Sequence, residues 1–196
     1  MGEVSEIVYL HGFLSSPGSA KGREMRRVAE DAGLGFWAPD LTMGPNAAVE
    51  TILAGLEDKD PSTYALVGSS LGGFYAAAVS GKTGARSVLL NPATQPWTII
   101  GRYLGEQTLL DGSGRRIVVL SQFGEELKQL DRWIRNDASD MLLILTQGDE
   151  VLDYRLARDR FIRARQLIHP GGDHTISDFS SLSTVVLRFA LTGKLF

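Results

Sequence analysis

The chain has 196 residues, 43% of them hydrophobic and 22% charged, with a formal net charge of −3 and no cysteine. That length suits one domain, and the ordinary apolar and charged shares exclude disordered and fibrous classes. Without cysteine there is no disulfide, no thiol nucleophile and no thiolate metal site.

The mild acidity argues against a polyanion as partner. The arginines at 155, 158, 160, 163 and 165 are interleaved with Asp153 and Asp159, which reads as a solvated helix face rather than a nucleic-acid surface. No stretch approaches the roughly 18 apolar residues that span a bilayer, and the N-terminus lacks the basic and apolar parts of a leader. A cytoplasmic protein is the expectation. Leucines and phenylalanines near the C-terminus, including Leu195 and Phe196, suit an interface as well as a core, so oligomeric state stays open.

In chain order, a short apolar run at 7–10 predicts a strand, 20–32 an amphipathic helix, and 36–38 a second strand. A second helix is expected over 46–56 and a third strand over 64–67, followed by an alanine-rich helix from Leu71 to about Ser80. Strands recur at 87–90, 141–146 and 165–168, and a closing helix fits 182–191. Six short, nearly continuous apolar strands alternating with helices predict a mostly parallel sheet covered on both faces. The span 92–140 is too long for one crossover and reads as an inserted elaboration over the carboxyl edge of the sheet. Within it, 111–114 is a turn, 117–120 a short extended piece, and Ser121 opens a helix to about Trp133. No repeat or linker divides the chain, so one domain over 1–196 is expected.

The segment YALVGSSLGG at 64–73 is a buried strand entering a Gly-x-Ser-x-Gly turn. Such a turn holds its central residue in a strained conformation with the hydroxyl exposed, and needs glycine on both sides. Ser70 is therefore the candidate nucleophile. A serine hydroxyl requires an imidazole to take its proton and a carboxylate to orient that imidazole. Of three histidines, His174 lies in a loop just after the last strand, at the edge where Ser70 emerges. His169 ends that strand, and His11 ends the first one, where it shapes a loop. Asp149, directly after the strand at 141–146, is the candidate carboxylate; Glu150 and Asp153 are its rivals, and Asp153 could equally cap a helix beginning near Tyr154.

Acyl transfer also needs backbone donors for an oxyanion. The Leu71 amide opens a helix directly after Ser70, and the Phe13 amide follows His11 and Gly12 in the loop after the first strand. Leu14, Trp97 and Tyr103 are candidate pocket residues, alongside Phe13, Phe74, Ile100 and Leu104, although each could equally be core. No His and carboxylate cluster suggests a metal, and no cofactor is required. The glycine-rich turn could alternatively cradle a phosphate, but no acidic residue is placed for a ribose and no Walker lysine follows. A catalytically silent binding protein on the same fold is the remaining alternative.

Five segments carry a family resemblance: YLHGFLSSPGSAKG at 9–22, GSSLGGFYA at 68–76, NPATQPW at 91–97, QGDEVLDYR at 147–155 and GGDHTISDF at 171–179. Together they resemble the small esterases of the YqiA/YcfP type in the α/β-hydrolase superfamily, in order and over nearly the whole chain. The match is weakest at 112–122, which includes Arg115 and Arg116. The resemblance implies a compact three-layer hydrolase fold lacking the first two strands of larger members. It also implies Ser70, Asp149 and His174 as triad, with activity on carboxylic esters or acyl thioesters.

Overall fold

A computed structural model describes residues 3–135 and 140–195. Its main sheet has six strands, all parallel: β1 (Glu6–Leu10), β2 (Gly35–Trp37), β3 (Tyr64–Ser69), β4 (Arg86–Leu90), β7 (Met141–Thr146) and β8 (Arg165–His169). Their spatial order is β2-β1-β3-β4-β7-β8. Every residue of β3 and β7 is buried, the condition that a sheet covered on both faces imposes on its central strands.

The helices α1 (Ala20–Asp31) and α6 (Phe179–Thr192) cover one face, while α2 (Pro45–Ala54), α3 (Leu71–Thr83) and α4 (Phe123–Asp131) cover the other. Local sequence explains their limits. Ser19 caps α1 by accepting the Gly22 N–H, Pro45 opens α2, and α3 and α6 stop at Gly84 and Gly193 in the left-handed conformation. In α1 the buried residues Met25, Val28 and Ala29 recur at helical spacing and meet α6. Among the described residues no helix is long and apolar enough to cross a membrane.

Between β4 and β7 the chain makes two 3-10 turns (Pro96–Thr98 and Ile100–Tyr103) and then an antiparallel hairpin of β5 (Gly105–Thr108) and β6 (Arg116–Val119), followed by α4. The sequence predicts β6, the turn and α4. It misses β5, because GEQT carries no apolar alternation and its strand state depends on pairing with β6. Residues 136–139 of the predicted elaboration, and Phe196 at the C-terminus, lie outside the described residues. The hairpin is tied down by the Leu110 N–H, which donates to the Leu14 carbonyl at 2.7 Å, and by Arg115, which pairs with Asp40 at 2.7 Å. A short helix α5 (Tyr154–Arg160) precedes β8, and the closing helix α6 begins three residues earlier than its apolar periodicity suggests.

The alanine-rich α3 packs so closely that a Cβ on Gly81 would lie 1.9 Å from the Trp133 carbonyl oxygen. Gly81→Ala must therefore push α3 and the end of α4 apart. A loss of about 1–3 kcal/mol is expected, lowering Tm by several degrees; an unchanged melting curve would show that this contact is slack.

Candidate active site

All six strands end at one edge, and the sequence-predicted site residues follow those ends. β3 stops at Ser69 and α3 starts at Leu71, which leaves Ser70 alone to turn the chain. Its φ is 55° and its ψ −119°, a region that costs a non-glycine residue on the order of 1–3 kcal/mol. Surrounding backbone holds it there. The Ser70 N–H donates to the Leu90 carbonyl at 3.0 Å, and its own carbonyl accepts the amides of Gly73, Phe74 and Ala93 at 2.9, 3.2 and 3.1 Å. Glycine is obligatory on both sides: a Cβ on Gly72 would lie 2.0 Å from the Leu10 carbonyl oxygen, and one on Gly68 would lie 2.2 Å from that of Gly72.

The loop after β8 brings the His174 ring to this turn. Its Nε2 is 3.0 Å from Ser70 Oγ and its Nδ1 is 2.8 Å from Asp149 Oδ2. A carboxylate can only accept, so Nδ1 carries the proton and Nε2 is left to accept from the serine hydroxyl. The Asp149 side chain is only 2% exposed. Its other oxygen accepts the amides of Val151 at 2.9 Å and Leu152 at 2.8 Å. The rivals are employed elsewhere. Asp153 caps α5 and pairs with Arg155, whose guanidinium helps hold its carboxyl below the usual range. Glu150 accepts the His174 backbone N–H at 3.0 Å, away from the ring. His169 is exposed.

Sequence reasoning gives Asn91 no role, although it opens one of the five motifs directly after β4. In the structure it is buried, with φ 40°. Its Oδ1 accepts the Thr146 N–H at 2.9 Å, and its Nδ2 lies 2.9 Å from Thr146 Oγ1 and 3.1 Å from the carbonyl oxygens of Asp173 and His174. One side chain thus joins β4, β7 and the His174 loop. Its available signal was an asparagine, a residue tolerant of the left-handed region, at the carboxyl end of a strand.

His11 is placed as expected, in a shaping role. Its Nδ1–H donates to the Gly12 carbonyl at 2.9 Å and its Nε2 accepts the Leu41 N–H at 2.9 Å. Burial foremost pushes its pKa below the ordinary 6.5. The loop it shapes passes against the serine: a Cβ on Gly12 would lie 3.2 Å from Ser70 Cβ. Phe13 is next in the chain. Among the described residues neither the Phe13 nor the Leu71 amide donates to a protein acceptor.

Ser70 and His174 open into a cleft of about 630 Å³ whose walls include Phe13, Lys21, Leu110 and Ile176. The three candidate pocket residues lie elsewhere. Leu14 lines a separate apolar cavity of about 20 Å³, Trp97 packs edge-on against Phe74 at 6.3 Å, and Tyr103 packs edge-on against Phe13 at 5.1 Å. The reason is one of sides. Leu14 and Trp97 lie on the face covered by α3 and α4, whereas the cleft opens toward α1 and α6, and Tyr103 stands behind the cleft-wall residue Phe13.

The family model described as Uncharacterised protein family (UPF0227) matches residues 6–191. The chain belongs to this family. A UPF0227 protein of Shewanella sediminis is 30% identical over 75% of this chain and 77% of its own length, and one of Shewanella woodyi is 26% identical over 80% and 83%. The UPF0227 chain shares its fold with solved α/β-hydrolases. Est1E from Butyrivibrio proteoclasticus superposes with a TM-score of 0.68 at 18% identity, covering 96% of this chain and 88% of Est1E. A monoacylglycerol lipase from Paleococcus ferrophilus gives 0.68 at 15% identity, with coverage of 99% and 97%. The esterase domain of a Rhodothermus marinus protein gives 0.66 at 20%, covering 97% and 86%.

Two measurements follow from the buried contacts. Asn91→Ala removes the bonds to Thr146 and to the His174 loop, so stability should fall by about 1–3 kcal/mol and amide exchange at 171–176 should quicken more than in β1 and β3. Uniform quickening would make Asn91 an ordinary core residue. His11 binds a proton less readily folded than unfolded, so its contribution is complete above about 6.5 and is lost as pH falls toward its lower folded value. Urea midpoints should drop between pH 7 and 5, and drop less in His11→Gln; equal drops would remove His11 as their source.

Proposed function

We propose that the protein is a serine hydrolase acting on carboxylic esters or acyl thioesters through Ser70, His174 and Asp149. The observation that carries this reading is the unbroken hydrogen-bonded chain from Ser70 Oγ through both His174 nitrogens to the buried Asp149 carboxylate, built on a strained serine. A residue held at that cost with an imidazole on its hydroxyl suits nucleophilic catalysis. Esters are the substrate class favoured by the names of structural neighbours, among them a monoacylglycerol lipase, an esterase domain and Est1E with ferulic acid bound.

In the proposed reaction, Ser70 Oγ attacks the acyl carbonyl while His174 Nε2 takes its proton. The Leu71 and Phe13 amides stabilise the oxyanion, the first aided by the positive end of α3. The tetrahedral intermediate collapses, His174 protonates the departing alkoxide or thiolate, and an acyl-enzyme remains. Water then gives a proton to the same imidazole and attacks the acyl-enzyme, releasing the acid and restoring Ser70. Asp149 keeps the imidazole in its working tautomer and stabilises the imidazolium.

The test is intact mass after exposure to a small fluorophosphonate. One adduct is expected on the native chain, none on Ser70→Ala, and labelling slower by at least about 100-fold on His174→Ala. Turnover of short-chain esters should fall by about 10³-fold or more in each single variant, with the double variant little worse. Folded native protein that takes no adduct and turns over no ester would remove the catalytic reading in favour of a binding protein.

A further inference from the structure

Two of the five motifs contain residues that the Ser-His-Asp chain leaves unused: Lys21, at the start of α1, and Thr175 with Ser177, just past His174. Lys21 Nζ donates to the Thr175 carbonyl, joining positions 154 residues apart. Both residues line the cleft that holds Ser70 and His174, as do the hydroxyl residues Ser19 and Ser177. Lys21 is half-buried, and burial pushes its pKa down against a smaller opposing effect from Asp173.

The nearby carboxylates are hydrogen-bonded to other partners, and Asp173 acts on Lys21 only from beyond ion-pair distance. Asp173 accepts the Ser177 N–H at 2.9 Å and the Thr175 hydroxyl at 3.0 Å. Glu24, also on the cleft wall, takes a two-pronged contact from Arg27 at 2.8 and 3.0 Å and the Ser183 hydroxyl at 2.8 Å. Among the described residues Lys21 forms no ion pair, and its ammonium has one protein acceptor for three protons. Among the described residues it is also the one lysine or arginine on the wall of this cleft.

We propose that Lys21 is an anion subsite beside Ser70, so that the preferred substrates are esters or thioesters carrying an anionic group within the same cleft. This rests on the serine-hydrolase reading above. A partly desolvated ammonium with unfilled donors gains a hydrogen bond and the attraction of opposite charges from a carboxylate, but only the hydrogen bond from a neutral amide of the same shape. Lys21 thereby becomes a specificity-determining residue.

The competing role is mechanical, with Lys21 only strapping the His174 loop to α1, and substrate pairs separate the two. Butyrate esters of 4-hydroxybenzoate and of 4-hydroxybenzamide place the charge on the alcohol. Methylumbelliferyl adipate and its terminal amide place it on the acyl tail. In at least one pair the native protein should favour the carboxylate by about tenfold to a hundredfold in kcat/KM, and Lys21→Met should bring that ratio close to one. A strap would lower both members of a pair by the same factor and leave the ratio intact, which overturns the subsite, as does a native ratio near one in both pairs. If the native protein cleaves none of the four, the hydrolase reading fails separately. Calorimetry of the same compounds on Ser70→Ala then decides the subsite: carboxylate binding weakened by Lys21→Met supports it, and no preference for carboxylate overturns it.

Discussion

The close approach of the start of α3 to the end of β1 is the constraint on which the candidate site depends. No side chain fits at Gly72, where a Cβ would stand 2.0 Å from the Leu10 carbonyl oxygen. Because β1 and β3 pair in register at Leu10 and Gly68, the chain leaves both strands side by side. The turn at Ser70 and the loop at Gly12 therefore meet. That juxtaposition sets the loop that leads to Phe13 beside the serine, where a Cβ on Gly12 would lie 3.2 Å from Ser70 Cβ. The strained serine is the cost of bending directly from strand to helix, and the bonds from Leu90, Gly73, Phe74 and Ala93 offset it.

Strain is concentrated at this edge. Among the described residues the non-glycine positions with positive φ are Leu14, Ser70, Asn91 and Ile176, which come after β1, β3, β4 and β8. Each has a local anchor: Leu14 through its carbonyl to the hairpin, Asn91 through Thr146, and Ile176 through its amide to the Asp173 carbonyl at 3.1 Å. A fold that only needed stability would place glycine at such positions. Side chains kept there are consistent with geometry being held for another purpose.

Much of this was legible in the sequence for identifiable reasons. Continuous apolar runs such as YALV and MLLILT depend on local composition alone, so their strands, and the parallel sheet they form, could be read directly. The elbow was readable because Gly68 and Gly72 are demanded by sterics. That His174 and Asp149 would come to the same edge as Ser70 was readable because each follows the end of a strand. The strand β5 was not, since its pairing partner rather than its residues makes it extended. Asn91 was missed because its role is to bridge three segments that only the folded sheet brings together. Which apolar residues line the cleft beside Ser70 was not legible for a related reason: those past β4 look alike whether they line it or pack on α3, as Trp97 does on Phe74.

The distance between Asp149 and His174 has its own physical origin, separate from the elbow. The loop carrying the carboxylate and the loop carrying the imidazole are pressed together at Gly148, where a Cβ would lie 2.2 Å from the Gly172 carbonyl oxygen, and the Gly148 N–H donates to the Gly171 carbonyl at 3.0 Å. Gly171 and Gly172 both take positive φ to permit this. The two loops are thus one unit, fastened to β4 through Asn91. Within that unit the Asp149 carboxylate is nearly removed from water and held by two backbone amides as well as the imidazole. In the proposed reaction, fixed dipoles would need no rearrangement as the imidazole gains a proton, so the charge created there would be met by an environment already arranged for it.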